Sequence, residues 1–292
     1  MSKLTIKQSE EIAKCAVDFP YFCENYVKIH TPRVSGTEMP FKLHPYQVRL
    51  YEHVEDNPLT IFSKFRQGGF TTELAIYGLW KCLFRLDQRV LWLTNNNRTS
   101  QDVCDRIVKR AIEQLPKWMT GNVMKMTNHN QKSFPDTDSA MQFYTPESTC
   151  GKSVNLLIVD EASFIKDMDK HWKSIWPCIS TGGSCIVYST VNCDDDWFWL
   201  AKEDAELKLN KFSIYRADYW ERPEHCDPKW EMDAKSNLGQ QGWEMEYEQK
   251  PMKHSMKHSM KHSKKQWRSI WDEWDSSSGL DQGGNERANE SE

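Results

Sequence analysis

The 292-residue chain has no uncharged apolar run near the roughly 20 residues that a membrane-spanning helix needs, which argues against a membrane protein. Its opening stretch, MSKLTIKQSEEIAKCAVDFP, sets acids among the apolar positions and has no small-residue cleavage site, so it does not read as a secretion signal. No CxxC pair occurs among the nine cysteines, which are scattered singly. An odd count without a secretion signal predicts reduced thiols in a cytosol. Charge of one sign is missing too: 38 Lys and Arg stand against 42 Asp and Glu, a formal net charge of −4. That balance speaks against a sequence-independent DNA coat protein, while leaving room for a local basic patch. What the chain does have is 38% hydrophobic and 12% aromatic residues, a globular composition with a core to bury.

Composition divides the chain once, near its C-terminus. From Met252 it runs MKHS, MKHS, MKHS, then KKQWR, and finally turns acidic and rich in Gly and Ser. Residues 251–268 carry six Lys or Arg and no acid, whereas residues 272–292 carry seven acids and one Arg. A charge-segregated, low-complexity stretch of this kind buries no core of its own, so 251–292 is expected to be a disordered tail. Before it, strand and helix patterns alternate. Leu59–Ser63 reads as a buried strand, followed by Lys64–Thr72 and by a helix with Leu74, Tyr77, Trp80, Leu83 and Phe84 on one face. Val90–Thr94 is a second strand. The helix after it spaces Val103, Ile107, Ala111 and Leu115 four apart, with Thr99 or Ser100 as its cap and Pro116 at its end. Met141–Tyr144, Leu156–Val159, Cys185–Tyr188 and Phe212–Tyr215 complete the strands. This alternation predicts an α/β fold with a mostly parallel sheet flanked by helices.

The segment Ser63–Thr72 sits between a buried strand and a helix, where a phosphate loop belongs. The standard loop reads G-x-x-x-x-G-K-[ST]: backbone N–H groups cradle phosphates, the lysine neutralises them, and the hydroxyl holds magnesium. In this frame Gly69 is the second glycine and Thr71 the hydroxyl, but Phe70 replaces the lysine and Lys64 the first glycine. Either Lys64 or Arg66 can then supply the missing charge. A Gly-Gly turn before a helix is also an ordinary connection. The second motif is stronger: Leu156-Leu-Ile-Val-Asp160-Glu161 is an apolar strand with two acids at its C-terminal end, where α/β sheets place ligands. Asp160 can anchor magnesium and Glu161 can polarise the water that attacks a γ-phosphate. Ser189 and Thr190 end the next strand as hydroxyls within reach of that phosphate. Gln47 lies upstream, with an amide able to pair with adenine. Together these residues describe an ATPase core.

These motifs, in this order, resemble the large terminase subunits of tailed bacteriophages, the ATP-driven motors that package DNA into proheads. The likeness runs from about Phe22 to Gln249 through FCENYVKI, PFKLHPYQVRLYEHV, SKFRQGGFTTELA, VLWLTNNNRTSQDVCDRIVKRAIEQLPKWM, LLIVDEASFI and IVYSTVN. It implies a P-loop NTPase sheet of the additional-strand type with a small lid subdomain. The implied division is 1–55 as an N-terminal arm and lid element, 56–215 as the core, and 216–250 as the rest of the lid. The resemblance implies ATP and Mg as cofactors. Lys64, Arg66, Gln67, Gly68, Gly69, Phe70, Thr71 and Thr72 form the phosphate loop, and Gln47 is the adenine-contacting glutamine. Thr71 and Asp160 hold the metal, Glu161 is the catalytic carboxylate with Arg66 beside it, and Ser189 and Thr190 form the coupling motif.

The implied partners are double-stranded DNA, a portal protein on the prohead, a small terminase subunit and further copies of the chain in a ring, all in the host cytoplasm. Three departures stand out. Cys150-Gly151-Lys152 replaces an Arg-Gly pair, and a lysine does not copy the forked geometry of an arginine finger. No nuclease domain fits in the tail, which points to a nuclease on a separate chain or lost. The tail itself has no counterpart in the family. A catalytically weak nucleotide-binding fragment and, less favoured, a DEAD-box-like helicase are the alternative readings.

Overall fold

A computed structural model describes residues 4–30, 38–121, 130–148 and 153–253. Cys150-Gly151-Lys152 and nearly all of the MKHS tail lie outside the described residues, and so do the expectations that rest on them. Two short strands, β1 (Lys28–His30) and β2 (Glu38–Pro40), pair as an antiparallel ribbon apart from the main sheet. The main sheet contains β3 (Leu59–Ser63), β4 (Arg89–Leu93), β5 (Gln131–Phe134), β6 (Ser139–Tyr144), β7 (Leu156–Asp160), β8 (Ser184–Ser189) and β9 (Ser213–Ile214). Their order is β5-β6-β4-β7-β8-β3-β9, and every neighbouring pair is parallel except β5 with β6. β8 is thus inserted between the strand that enters the glycine loop and the strand that ends in Asp160, as the additional-strand arrangement expects.

Side-chain alternation explains why these strands are apolar nearly throughout: each feeds two cores at once. Phe62, Trp92, Phe143, Ile158, Ile186 and Tyr188 point to one face. There they meet α1 (Ile6–Val17), α2 (Phe19–Tyr26), α3 (Pro45–Asp56) and α4 (Phe70–Phe84). Ile61, Leu91, Leu93, Leu157, Val159, Cys185 and Val187 point to the other. On the first of these faces β4 continues into α5 (Asn97–Asp102), a π-helical stretch (Val103–Lys109) and α6 (Arg110–Gln114), which run on as one rod, followed by α7 (Lys117–Thr120), and these segments bury Val103, Val108, Ala111 and Met119 with α4. α8 (Met168–Ile175) and α9 (Trp197–Glu206) cover the second face with Trp172 and Phe198. α10 (Pro228–Glu246) lies C-terminal to the sheet and is interrupted at Gly239 (φ 68°). No described helix is long and apolar enough to cross a membrane.

Some boundaries differ from expectation. Asn96, not Thr99 or Ser100, caps α5, because its side chain accepts the Thr99 N–H at 2.9 Å and closes the turn earlier. β9 is confined to Ser213–Ile214, since only Thr60 and Ile61 of β3 pair with it. β5 was not expected at all; its four residues, QKSF, are too few and too polar for the alternation to stand out.

Parallel register aligns the ends that matter. Ser63 pairs with Ser189, and Asp160 with Tyr188, so β3, β7 and β8 all finish at one edge. α4 starts from that edge and is fixed at its far end by Trp80, which is fully buried and donates its indole N–H to the Cys15 carbonyl at 2.7 Å. Trp80→Phe keeps an aromatic ring but replaces the indole by a smaller phenyl and takes the donor from that buried carbonyl. It is expected to cost about 1–3 kcal/mol of stability in urea unfolding; a midpoint equal to wild type would show the clasp to be without weight.

Candidate functional site

The loop after β3 is shaped from beneath by aromatic rings. Lys64 N–H extends the β3–β8 ladder to the Ser189 carbonyl at 2.8 Å. Phe65 then turns inward, and Gln67 (φ 61°) and Gly69 (φ 77°) take the left-handed conformation that reverses the chain into α4. Gly68 has no room for a side chain: a Cβ there would stand 2.4 Å from the Phe70 ring and 3.0 Å from the Phe65 ring. Phe70, 2% exposed, packs against Phe62, Phe65 and Tyr46 at centroid distances of 5.3–5.5 Å. A lysine at position 70 would have to leave this aromatic nest, so the loop's positive charge has to enter from elsewhere.

It enters from the end of β3. Lys64 Nζ donates to Asp160 Oδ1 at 2.9 Å and to Thr71 Oγ1 at 3.3 Å, and pairs with Glu161 Oε1 at 2.9 Å. It also lies 4.7 Å above the Tyr188 ring. Burial alone would pull the lysine's pKa down, but the two carboxylates more than offset it and hold the ammonium above its ordinary value. Burial pushes Asp160 up, against the pull of Lys64. Thr71 Oγ1 donates to Asp160 Oδ2 at 3.4 Å, which sets two hard oxygen donors side by side. Glu161 takes a left-handed backbone (φ 54°), and its Oε2 accepts from Ser189 Oγ at 3.3 Å and Thr190 Oγ1 at 3.4 Å. Lys64, Thr71, Asp160, Glu161, Ser189 and Thr190 therefore meet in one cluster, at the N-terminus of a 15-residue helix.

The other expected residues lie around this cluster. Arg66 is 58% exposed and faces away: its guanidinium donates to Glu246 Oε1 at 2.9 Å and its N–H to the Glu246 carbonyl at 2.7 Å. The Gln67 side chain is exposed, while its carbonyl accepts from the Arg222 guanidinium. Ser63 Oγ donates to Gln249 Oε1 at 2.6 Å, and Gln249 Nε2 donates to the Ala217 carbonyl at 2.7 Å. Gln47, expected to face adenine, is instead 2% exposed behind the loop. Its Oε1 accepts the His44 N–H at 3.0 Å, and its Nε2 lies 3.1 Å from where a Gly69 Cβ would be. It is committed to closing the first turn of α3 and supporting Gly69. Thr72 turns away from the carboxylates, toward a cavity beside α4.

Sequence reasoning missed Arg222, Glu246 and Gln249, which fasten the outside of the loop from more than 150 positions away. It also missed Glu73, a carboxyl in the first turn of α4 that is 1% exposed and makes no hydrogen bond of good geometry. Its signal was present: an acid directly after Thr71-Thr72 on an otherwise apolar helix face.

No protein-family profile matches the chain. Among solved structures it is similar to the large terminase ATPase domain of Thermus phage P74-26, at 16% identity over 73% of this chain and 95% of that one, with a TM-score of 0.59. It is similar also to the large terminase of bacteriophage HK97, at 15% identity over 81% of this chain and 55% of that one, TM-score 0.59. A third is the large terminase of a thermophilic bacteriophage in complex with ADP, at 10% identity over 71% and 53%, TM-score 0.58. The chain therefore has the fold of these ATPase domains and spans about half the length of the two longer proteins.

Burial raises the Glu73 pKa well above the carboxylate range, with the Gln47 amide opposing. The folded protein then keeps this proton at pH values where the unfolded chain has released it, so the group weakens the fold as pH climbs past the unfolded value. Glu73→Gln is expected to match wild type in thermal stability near pH 4 and to exceed it increasingly toward pH 8. Parallel Tm–pH curves for the two proteins would remove the buried neutral carboxyl.

Proposed function

We propose that this chain is the ATP-hydrolysing motor subunit of a phage terminase, driving DNA packaging into proheads. One observation carries the reading: Lys64, Thr71, Asp160 and Glu161 converge at the helix N-terminus where β3, β7 and β8 end. The first N–H groups of α4 have no partner within the helix and favour an anion. The Lys64 ammonium, drawn from its carboxylate partners, is the charge that meets the phosphates. Thr71 and Asp160 present the hard oxygens that Mg²⁺ prefers, and this ion ordinarily keeps water and substrate phosphates as its remaining ligands. When bound, the ion neutralises charge on the phosphate oxygens. Glu161 is the general base, holding the attacking water; Ser189 and Thr190 fix the orientation of its carboxylate. Arg66, Gln67 and the backbone of Gly68, Gly69, Phe70 and Thr72 complete the loop.

The wider assignment follows from this one. Residues 56–215 form the ATPase core, and 1–55 with 216–250 form a lid over the nucleotide, tied to the loop by Arg222, Glu246 and Gln249. Double-stranded DNA, a portal on the prohead, a small terminase subunit and other copies of the chain in a ring are its partners in the host cytoplasm.

Glu161→Gln is expected to abolish Mg²⁺-dependent ATP turnover while sparing ATP binding, since the base goes and the Asp160 anchor stays. Equal turnover in the two proteins would sink the assignment. Lys64→Ala removes a charge-assisted contact of about 1.5–3 kcal/mol, so ATP affinity by calorimetry should fall roughly ten- to a hundredfold. Arg66→Ala should fall less, because its guanidinium is engaged by Glu246. The reverse ranking would make arginine the phosphate ligand.

A further inference from the structure

We infer that Tyr188 is a positioning residue of the cluster, whose hydroxyl takes over the Asp160 carboxylate when the Lys64 ammonium moves from it to the phosphates. This rests on the reading of the site as a nucleoside triphosphate site. Phe62, Tyr188 and Asp160 pair in one row across β3, β8 and β7, so their side chains rise from the same face of the sheet. The Tyr188 ring is fully buried, stacked on Phe62 at a centroid distance of 5.3 Å and met edge-on by Trp92 at 6.4 Å, so it has no room to swing. The Lys64 ammonium stands 4.7 Å above it. Its hydroxyl lies beside the Asp160 carboxylate and the Thr71 hydroxyl, yet makes no hydrogen bond of good geometry among the described residues.

Buried hydroxyls without partners are rare, because each has given up the hydrogen bonds it made to water. This one stands beside the acceptor that most needs a donor once the lysine leaves. Asp160 is 2% exposed, so solvent scarcely reaches it. In the free protein its Oδ1 accepts from Lys64 at 2.9 Å and its Oδ2 from Thr71 at a long 3.4 Å. The ammonium has three hydrogens, and they face Asp160, Glu161 and Thr71, so it takes up a phosphate oxygen only by releasing one of these. Releasing Asp160 leaves a buried carboxylate oxygen without its donor, an arrangement far more costly than a paired one. A phenol is protonated at neutral pH, so the Tyr188 hydroxyl has a proton to offer and turns about its own C–O bond while the packed ring stays. The exchange keeps Asp160 in place, with Oδ2 still toward Thr71, and so preserves the pair of oxygens assigned to Mg²⁺.

Tyr188→Phe removes the oxygen and keeps the ring, and it is read against Lys64→Met in a double-mutant cycle of urea unfolding on the full chain. In the wild-type background the hydroxyl makes no bond in the free protein, so Tyr188→Phe should unfold at or above the wild-type midpoint. In the Lys64→Met background the hydroxyl already serves Asp160, and the same substitution should lower the midpoint. An equal effect in both backgrounds would make the tyrosine a structural residue and overturn the inference. A second measurement needs no lysine variant. Mg·ATPγS, titrated by calorimetry, should bind Tyr188→Phe about tenfold or more weakly than wild type, the loss expected for a hydrogen bond to a charged group. Unchanged affinity in a variant as stable as wild type would overturn the inference as well. A wild type that binds no Mg·ATPγS would instead overturn the nucleotide reading beneath it, and the unfolding cycle would then decide the exchange at Asp160 by itself.

Discussion

A buried ammonium organises this protein. Lys64 has a side chain only 9% exposed, and a lone charge so placed would be too costly to keep. Its solution is to be shared by Asp160 and Glu161, both at 2.9 Å, so three strands have to end level with one another. Taking away one partner of such a group leaves an uncompensated charge, which is why buried pairs are far more sensitive to truncation than to replacement as a unit. The parallel register of β3, β8 and β7 and the left-handed turn at Glu161 both serve that convergence. One ammonium shared by two carboxylates leaves the cluster with one net negative charge, which on the proposed reading a cation beside Thr71 and Asp160 would offset.

Placing the lysine before the loop has a structural consequence within it. With no ammonium to present from position 70, the first residue of α4 is free to be aromatic, and Phe70 joins Phe62, Phe65 and Tyr46 under the backbone. Gly68 is then required by the ring above which it passes, and the Tyr46 hydroxyl donates to its carbonyl at 2.9 Å. The loop's curvature is thus set by apolar packing on its inner side, where a ligand does not reach, and its outward N–H groups keep their direction.

The parts of this design that depend on local pattern were legible in the sequence. Leu59–Ser63 and Leu156–Asp160 show as apolar runs because both their faces are buried, and the glycines and the Asp-Glu pair mark the strand ends by their chemistry. The inward packing of Phe70 could be argued from its apolar ring alone. What depends on distant partners was not legible. Arg66 looks like a phosphate ligand until Glu246, 180 positions away, takes its guanidinium. Gln47 looks like a base reader until the fold buries it behind Gly69. The π winding at Val103–Lys109 leaves the four-residue spacing of apolar positions intact, so periodicity passes over it.

The two sides of the loop are therefore held by unlike forces. Inside, ring packing and the Gln47 amide resist displacement, because moving them opens a cavity in a dense core. Outside, the bonds from Arg222, Glu246 and Gln249 include one partly exposed ion pair, Arg66 with Glu246, which water competes for and which rearranges at small cost. On the proposed reading, a phosphate arriving at the N-terminus of α4 would compete with Asp160 and Glu161 for Lys64. That exchange replaces one anion by another around a fixed ammonium, so the inner geometry would persist, while Arg66 stays with Glu246 on the outer side of the loop.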